Sequence, residues 1–262
     1  MSTGRRRAAV VAASILALTP AGPILGWTGP TRTRMIRDAL AVSPPALVAI
    51  LEPYDDRLRA GMIEPASREG EEVHYQHADG RRGLAAAGIA RKVEDARAML
   101  LRRRSPARFA YEMGALAHLV ADAAFPLNVS DADPREPLYR EAYRSYIESV
   151  LDKIPFVLDR GGSEALEAGD VQAFIMESVR RAEASYPLIG PAFDDDGTPR
   201  TRAALDERSV PFGIASLAYS QAVSNIARIW RLTWASVDGD LRGTPYLTDP
   251  PPESASIPES ER

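Results

Sequence analysis

The sequence contains no cysteine. That excludes disulfides and every thiolate metal site, so the fold must rest on core packing and any metal must be held by nitrogen and oxygen ligands. Histidine is nearly as scarce, occurring only at His74, His77 and His118. Lysine occurs only at Lys92 and Lys153, arginine supplying the other basic residues, which reads as a compositional bias of the source. No stretch combines period-two alternation, β-branched enrichment and Asn-Gly turns, so no strands are predicted. The most apolar stretch lies within the first 26 residues; it is short for a membrane span and is broken by Pro20 and Pro23.

Of the 262 residues, 45% are hydrophobic and 26% charged, as expected for one soluble globular domain. The amino end has the three regions of a signal peptide: the basic "MSTGRRR", the apolar "AAVVAASILAL" and the breaker- and small-residue-rich "TPAGPILG". Cleavage after Gly26 is predicted, giving a secreted or periplasmic chain that starts at Trp27; an uncleaved anchor is the alternative. No cysteine follows, so this is not a lipoprotein signal. Loss of residues 1–26 removes Arg5, Arg6 and Arg7 and no acid, moving net charge from −4 to −7. So acidic a chain has no general electrostatic footprint for nucleic acid.

The remainder reads as an all-α bundle with long loops. Apolar residues recur at three- and four-residue steps in "PTRTRMIRDALAV", in "SPPALVAILEPYDDRLRAGM" with Ser43 as cap, and in "GLAAAGIARKVEDARAMLLRRR". The same spacing marks "SPARFAYEMGALAHLVADAAF" with Ser105 as cap, then "EPLYREAYRSYIESVLDKI", "DVQAFIMESVRRAEASYPLI" and "VPFGIASLAYSQAVSNIARIWRLTWASV". Residues 27–238 form the predicted helical domain. Residues 239–262, rich in proline, serine and acid, form a predicted disordered tail. Long polar loops are expected around "EPASREGEEVHYQHADGRRG" and "NVSDADPREP".

One stretch carries chemistry. In "GALAHLVADAAFPLNV", His118 and Asp122 stand four residues apart, so they leave one face of a helix that is otherwise built for burial. Either they satisfy each other in the core or a cation sits between them. Imidazole and carboxylate are zinc ligands, and a catalytic zinc takes three protein ligands plus water. His74, from the preceding loop, completes such a set.

The order of Trp27, "GMIE", "HYQHADG" and "GALAHLVADAAFPLN" resembles the zinc-dependent phospholipase C and single-strand-specific nuclease superfamily over residues 27 to 150. The resemblance implies a secreted all-α phosphoesterase whose amino-terminal tryptophan binds zinc through its amine and carbonyl, a role falling on Trp27. It places His118, Asp122 and His74 on metal ligands and sets His77 where the family has an aspartate. Glu64, or alternatively Ala66, falls near the family's base-like aspartate. Asn128 replaces the histidine of the family's Pro-x-His. The early helix-borne ligand and the later His-x-x-x-Glu pair are missing; Arg140 and Arg144, or in the shifted register Tyr139 and Tyr143, stand in place of that pair. The resemblance therefore implies one zinc rather than three, held by His74, His118 and Asp122, with Glu64 as base. Arg140, Arg144 and Asn128 would contact a phosphoester or phospholipid headgroup. A fold-retaining binding or structural protein without activity is the rival expectation.

Overall fold

The computed structural model describes residues 26–64 and 70–244. The expected signal segment before Gly26, Ala66 and the tail beyond Thr244 lie outside the described residues. The helices are α1 Gly29–Ala41, α2 Pro45–Leu51, α3 Asp55–Ile63, α4 Ala85–Leu101, α5 Pro106–Ala123, α6 Glu136–Ser149, α7 Glu164–Glu167, α8 Val171–Ser185 and α9 Val210–Ala235. Among the described residues the only extended pairings are the isolated bridges Gln76–Gly83 and Phe193–Pro199. No helix among them is long and apolar enough to cross a membrane.

Helix α5 is the axis of the bundle, touching α3, α4, α8 and α9, and every residue from Met113 to Ala123 is buried. Its small residues permit unusually close neighbours. A Cβ on Gly114 would lie 2.0 Å from the Leu58 carbonyl oxygen, and one on Gly61 would lie 2.0 Å from that of Tyr111. Backbone therefore meets backbone where α3 crosses α5, and this crossing delivers the end of α3 to His118. On the opposite side Trp230 of α9 donates its indole N–H to the Met113 carbonyl at 3.1 Å. Ser209 caps α9, accepting from Phe212 N.

Several boundaries differ from the sequence reading. The helix expected over 43–62 is broken into α2 and α3 by a 3-10 turn, Glu52–Tyr54; Pro53 lacks the N–H that would continue the ladder. Ser43 does not cap α2. Its hydroxyl donates backwards to the Ala39 carbonyl at 2.8 Å and closes α1. Ser105 occupies the N-cap position of α5 without a side-chain cap bond. The short α7 was not legible in apolar spacing, being one turn capped by Ser163. Residues 239–244, expected within the tail, turn back on the domain: Gly239 N donates to Trp234 O, and the Trp234 indole donates to Asp240 O at 3.0 Å.

Candidate metal centre

The structure brings His74, His118 and Asp122 together. One ligand atom from each lies within 4.8 Å of the others, and the residues are 8%, 4% and 0% exposed. His118 and Asp122 come from adjacent turns of α5. His74 ends the 3-10 turn Glu71–His74, which enters from the long loop and packs against α4 and α5. Its Nδ1 lies 2.9 Å from Asp122 Oδ2, and His118 Nε2 lies 3.1 Å from the same oxygen. The two imidazoles meet edge to face at 5.1 Å.

The protonation pattern follows from the outer partners. His118 Nδ1 sits 2.8 Å from the Met62 carbonyl oxygen; a carbonyl only accepts, so Nδ1 carries the hydrogen. A neutral His118 therefore turns the Nε2 lone pair toward a carboxylate oxygen, an arrangement that is repulsive unless a cation lies between them. That cation is either a second proton on His118 or a metal ion. Burial alone pushes the Asp122 carboxyl up, but the Arg32 guanidinium, then His118 and His74, outweigh it and hold the group well below the usual carboxylate range. Asp122 is thus ionised wherever the protein is folded near neutrality. The donor set fits one small divalent ion: two imidazole nitrogens and one carboxylate oxygen, with a backbone carbonyl fixing the ring of one of them.

The second Asp122 oxygen is already taken. Arg32, on α1 and 4% exposed, donates to Oδ1 at 2.6 Å and through Nε to the Trp27 carbonyl at 2.9 Å. A guanidinium thus links the Trp27 carbonyl to the Asp122 carboxylate. Trp27 itself is buried, its indole donating to Ala121 O at 2.9 Å and meeting Phe125 edge-on at 5.1 Å. Its carbonyl accepts from Arg32, and the grouped donor atoms are those of His74, His118 and Asp122. Sequence reading missed Arg32. Its signal is a polar side chain on the buried stripe of "PTRTRMI", in register with Met35, Ile36 and Ala39.

The other candidates hold structure together around this trio. Asn128 donates through Nδ2 to the carbonyls of His74 and Asp122, both at 3.1 Å, tying the His74 loop to the end of α5. Arg140 gives Nη1 to Asn128 Oδ1 at 2.8 Å, Nη2 to the Leu127 carbonyl and Nε to Glu136, so each of its nitrogens has a protein acceptor. Arg144, 5% exposed, donates to the Gly26 carbonyl and to Glu141 at 2.6 Å. Neither arginine is positioned as the open phosphate clamp that was expected. Their alternates Tyr139 and Tyr143 are fully buried, Tyr139 stacking on Phe193 at 4.8 Å. Glu64 is also apart from the trio: it accepts from the Tyr111 hydroxyl at 3.1 Å, about two helical turns before His118 on α5. His77 faces Asp131 at 3.8 Å and the ring of Tyr75 at 5.8 Å.

No protein-family model matches the sequence, and no characterised protein matches it. Solved structures do. The alpha-toxin of an avian Clostridium perfringens strain superposes with a TM-score of 0.60 at 12% identity, over 80% of this chain and 64% of that one. The alpha-toxin of Clostridium absonum gives 0.57 at 13% identity, over 79% of this chain and 66% of that one. The chain thus spans a little under two thirds of the toxins' length. What is shared at these identities is the fold, an all-α phospholipase C-like bundle.

Proposed function

We propose that this protein is a phosphoester hydrolase that works with a single zinc ion held by His74, His118 and Asp122. The observation that carries the reading is the convergence of His118 Nε2 and His74 Nδ1 on Asp122 Oδ2, at 3.1 and 2.9 Å, with His118 Nδ1 already engaged by the Met62 carbonyl. A divalent ion bound there would polarise a phosphoryl oxygen and lower the pKa of water. The chain's own residues supply the rest. Asp122 remains charged in the interior, Met62 fixes the His118 tautomer, and Asn128 holds the His74 loop to α5. Arg32 neutralises Oδ1 and limits the centre to one ion. In the net reaction, water oxygen bonds to phosphorus, the P–O ester bond breaks, and the alcohol leaves with the proton. The likeness in fold to the alpha-toxins and the signal-like amino end support an exported enzyme acting on a phospholipid headgroup or small phosphodiester.

The second reading, a fold-retaining binding protein without turnover, is favoured by the same Arg32 contact and by the burial of all three candidate ligands. Hydrolysis of bis-p-nitrophenyl phosphate and of a short-chain phosphatidylcholine separates the two. With zinc added, the hydrolase reading expects turnover that a chelator and His118→Ala each abolish. Absence of turnover in a zinc-loaded protein selects the second reading.

A further inference from the structure

We infer that a second, cationic cleft, formed by α9, α7 and the 160–163 loop, binds the phosphate group of an organic phosphate. The cleft has a volume of about 520 Å³ and is lined by Arg160, Arg228 and Arg231 against the single carboxylate of Glu167. On a chain of net charge −4 this is a local reversal of sign, which concentrates anions at that point.

Two of the three arginines lack protein partners among the described residues. Arg160 and Arg231 make no ion pair, and Arg231 Nε is buried with no hydrogen-bond acceptor. A buried charged donor without an acceptor is costly, and an oxyanion seated beside it removes that cost. Arg228 plays the other part. It is 6% exposed, donates to the carbonyls of Asp159 and Gly161 and lies 3.4 Å from the Asp159 carboxylate; it pins the loop across the cleft with its charge met by the protein, which leaves Arg160 and Arg231 to receive the anion. Arg228 and Arg231 stand three residues apart on α9, so both face the same side. Leu166, Leu232 and Ala235 are also in the lining and give an apolar surface for the group esterified to the phosphate. Glu167 is an acceptor for a hydroxyl on that group. The ligand chemistry is therefore a phosphomonoester carrying a short polar or apolar substituent, either a soluble molecule or the headgroup of an anionic lipid.

Calorimetric titration of the full chain with sn-glycerol 3-phosphate, and co-sedimentation with phosphatidylcholine vesicles with and without phosphatidic acid, tests this. All runs contain chelator, so that the His74–His118–Asp122 centre contributes nothing. We expect binding in at least one arm, weakened about tenfold or more by Arg231→Gln, weakened again by Arg160→Gln, and reduced by added salt. His118→Ala is expected to leave it unchanged. Glycerol phosphate binding without vesicle recruitment identifies a soluble ligand, and recruitment only to phosphatidic acid identifies a lipid headgroup. The inference is overturned by no binding in either arm, by equal binding in wild type and both arginine variants, or by loss in His118→Ala. Circular dichroism of Arg231→Gln must match wild type for the comparison to stand; Arg160→Gln, at an exposed loop position, supplies the same readout independently of α9.

Discussion

At the scale of single residues, the centre is decided by how Asp122 divides its two oxygens. Oδ1 belongs to Arg32 and Oδ2 to the histidines. Removing Asp122 therefore leaves a buried guanidinium without its anion, and Asp122→Ala is expected to cost about 3–5 kcal/mol. His118→Ala leaves the Met62 carbonyl without its donor and removes one contact of Asp122 Oδ2, while Arg32 and His74 still hold the carboxylate, and is expected to cost about 1–3 kcal/mol. Chemical denaturation of both variants in chelator checks the order; equal losses would mean that Arg32 is not stabilised by this carboxylate. Because the folded-state pKa of Asp122 is depressed, its contribution is complete above the unfolded value of about 3.9 and is lost as pH falls below it. His118, Asp122 and His74 were legible as a trio because titratable residues are so few in apolar surroundings. Arg32 was not, since periodicity marks arginine as solvent-facing. Nor was the engagement of Arg140 and Arg144, because spacing fixes the side of a helix on which an arginine emerges and not the carbonyl that receives it.

At the scale of elements, the site depends on how closely α3 approaches α5. Gly61 and Gly114 let the two backbones touch, and the Met62 carbonyl thereby reaches His118 Nδ1. Gly114→Ala places a methyl against the Leu58 carbonyl; it is expected to cost about 1–3 kcal/mol by overpacking and to weaken zinc binding by displacing the tautomer-fixing acceptor. Denaturation and zinc titration of this variant measure both effects, and wild-type zinc affinity in the variant would contradict the coupling. Helix positions were readable from apolar spacing because each long helix buries one continuous stripe, α5 most of all. The break at Pro53 was less legible, since apolar spacing runs through it and only the missing N–H interrupts the ladder. The one-turn α7 has too few residues to show any period, and its start is set by the Ser163 cap alone.

At the scale of the whole molecule, a stapleless bundle gains stability from whatever its native state alone binds. Zinc at 100 times its dissociation constant adds about 2.7 kcal/mol, which for a domain of this size corresponds to a rise in Tm on the order of 5–10 °C. The rise is expected in wild type, reversed by chelator and absent in His118→Ala. The signal-like amino end adds a second expectation: if the chain is exported, the mature protein begins at Trp27, which intact mass measurement checks. Retention of residues 1–26 would contradict the signal reading while leaving the centre untouched, because Trp27 offers its carbonyl to Arg32 and not to the ion. Elemental analysis of purified protein dialysed against zinc tests the central claim most directly. The arrangement of His74, His118 and Asp122 beside Arg32 predicts one zinc per chain, falling to background in His118→Ala and Asp122→Ala. A wild type that retains no zinc, or one that holds close to three, would contradict it.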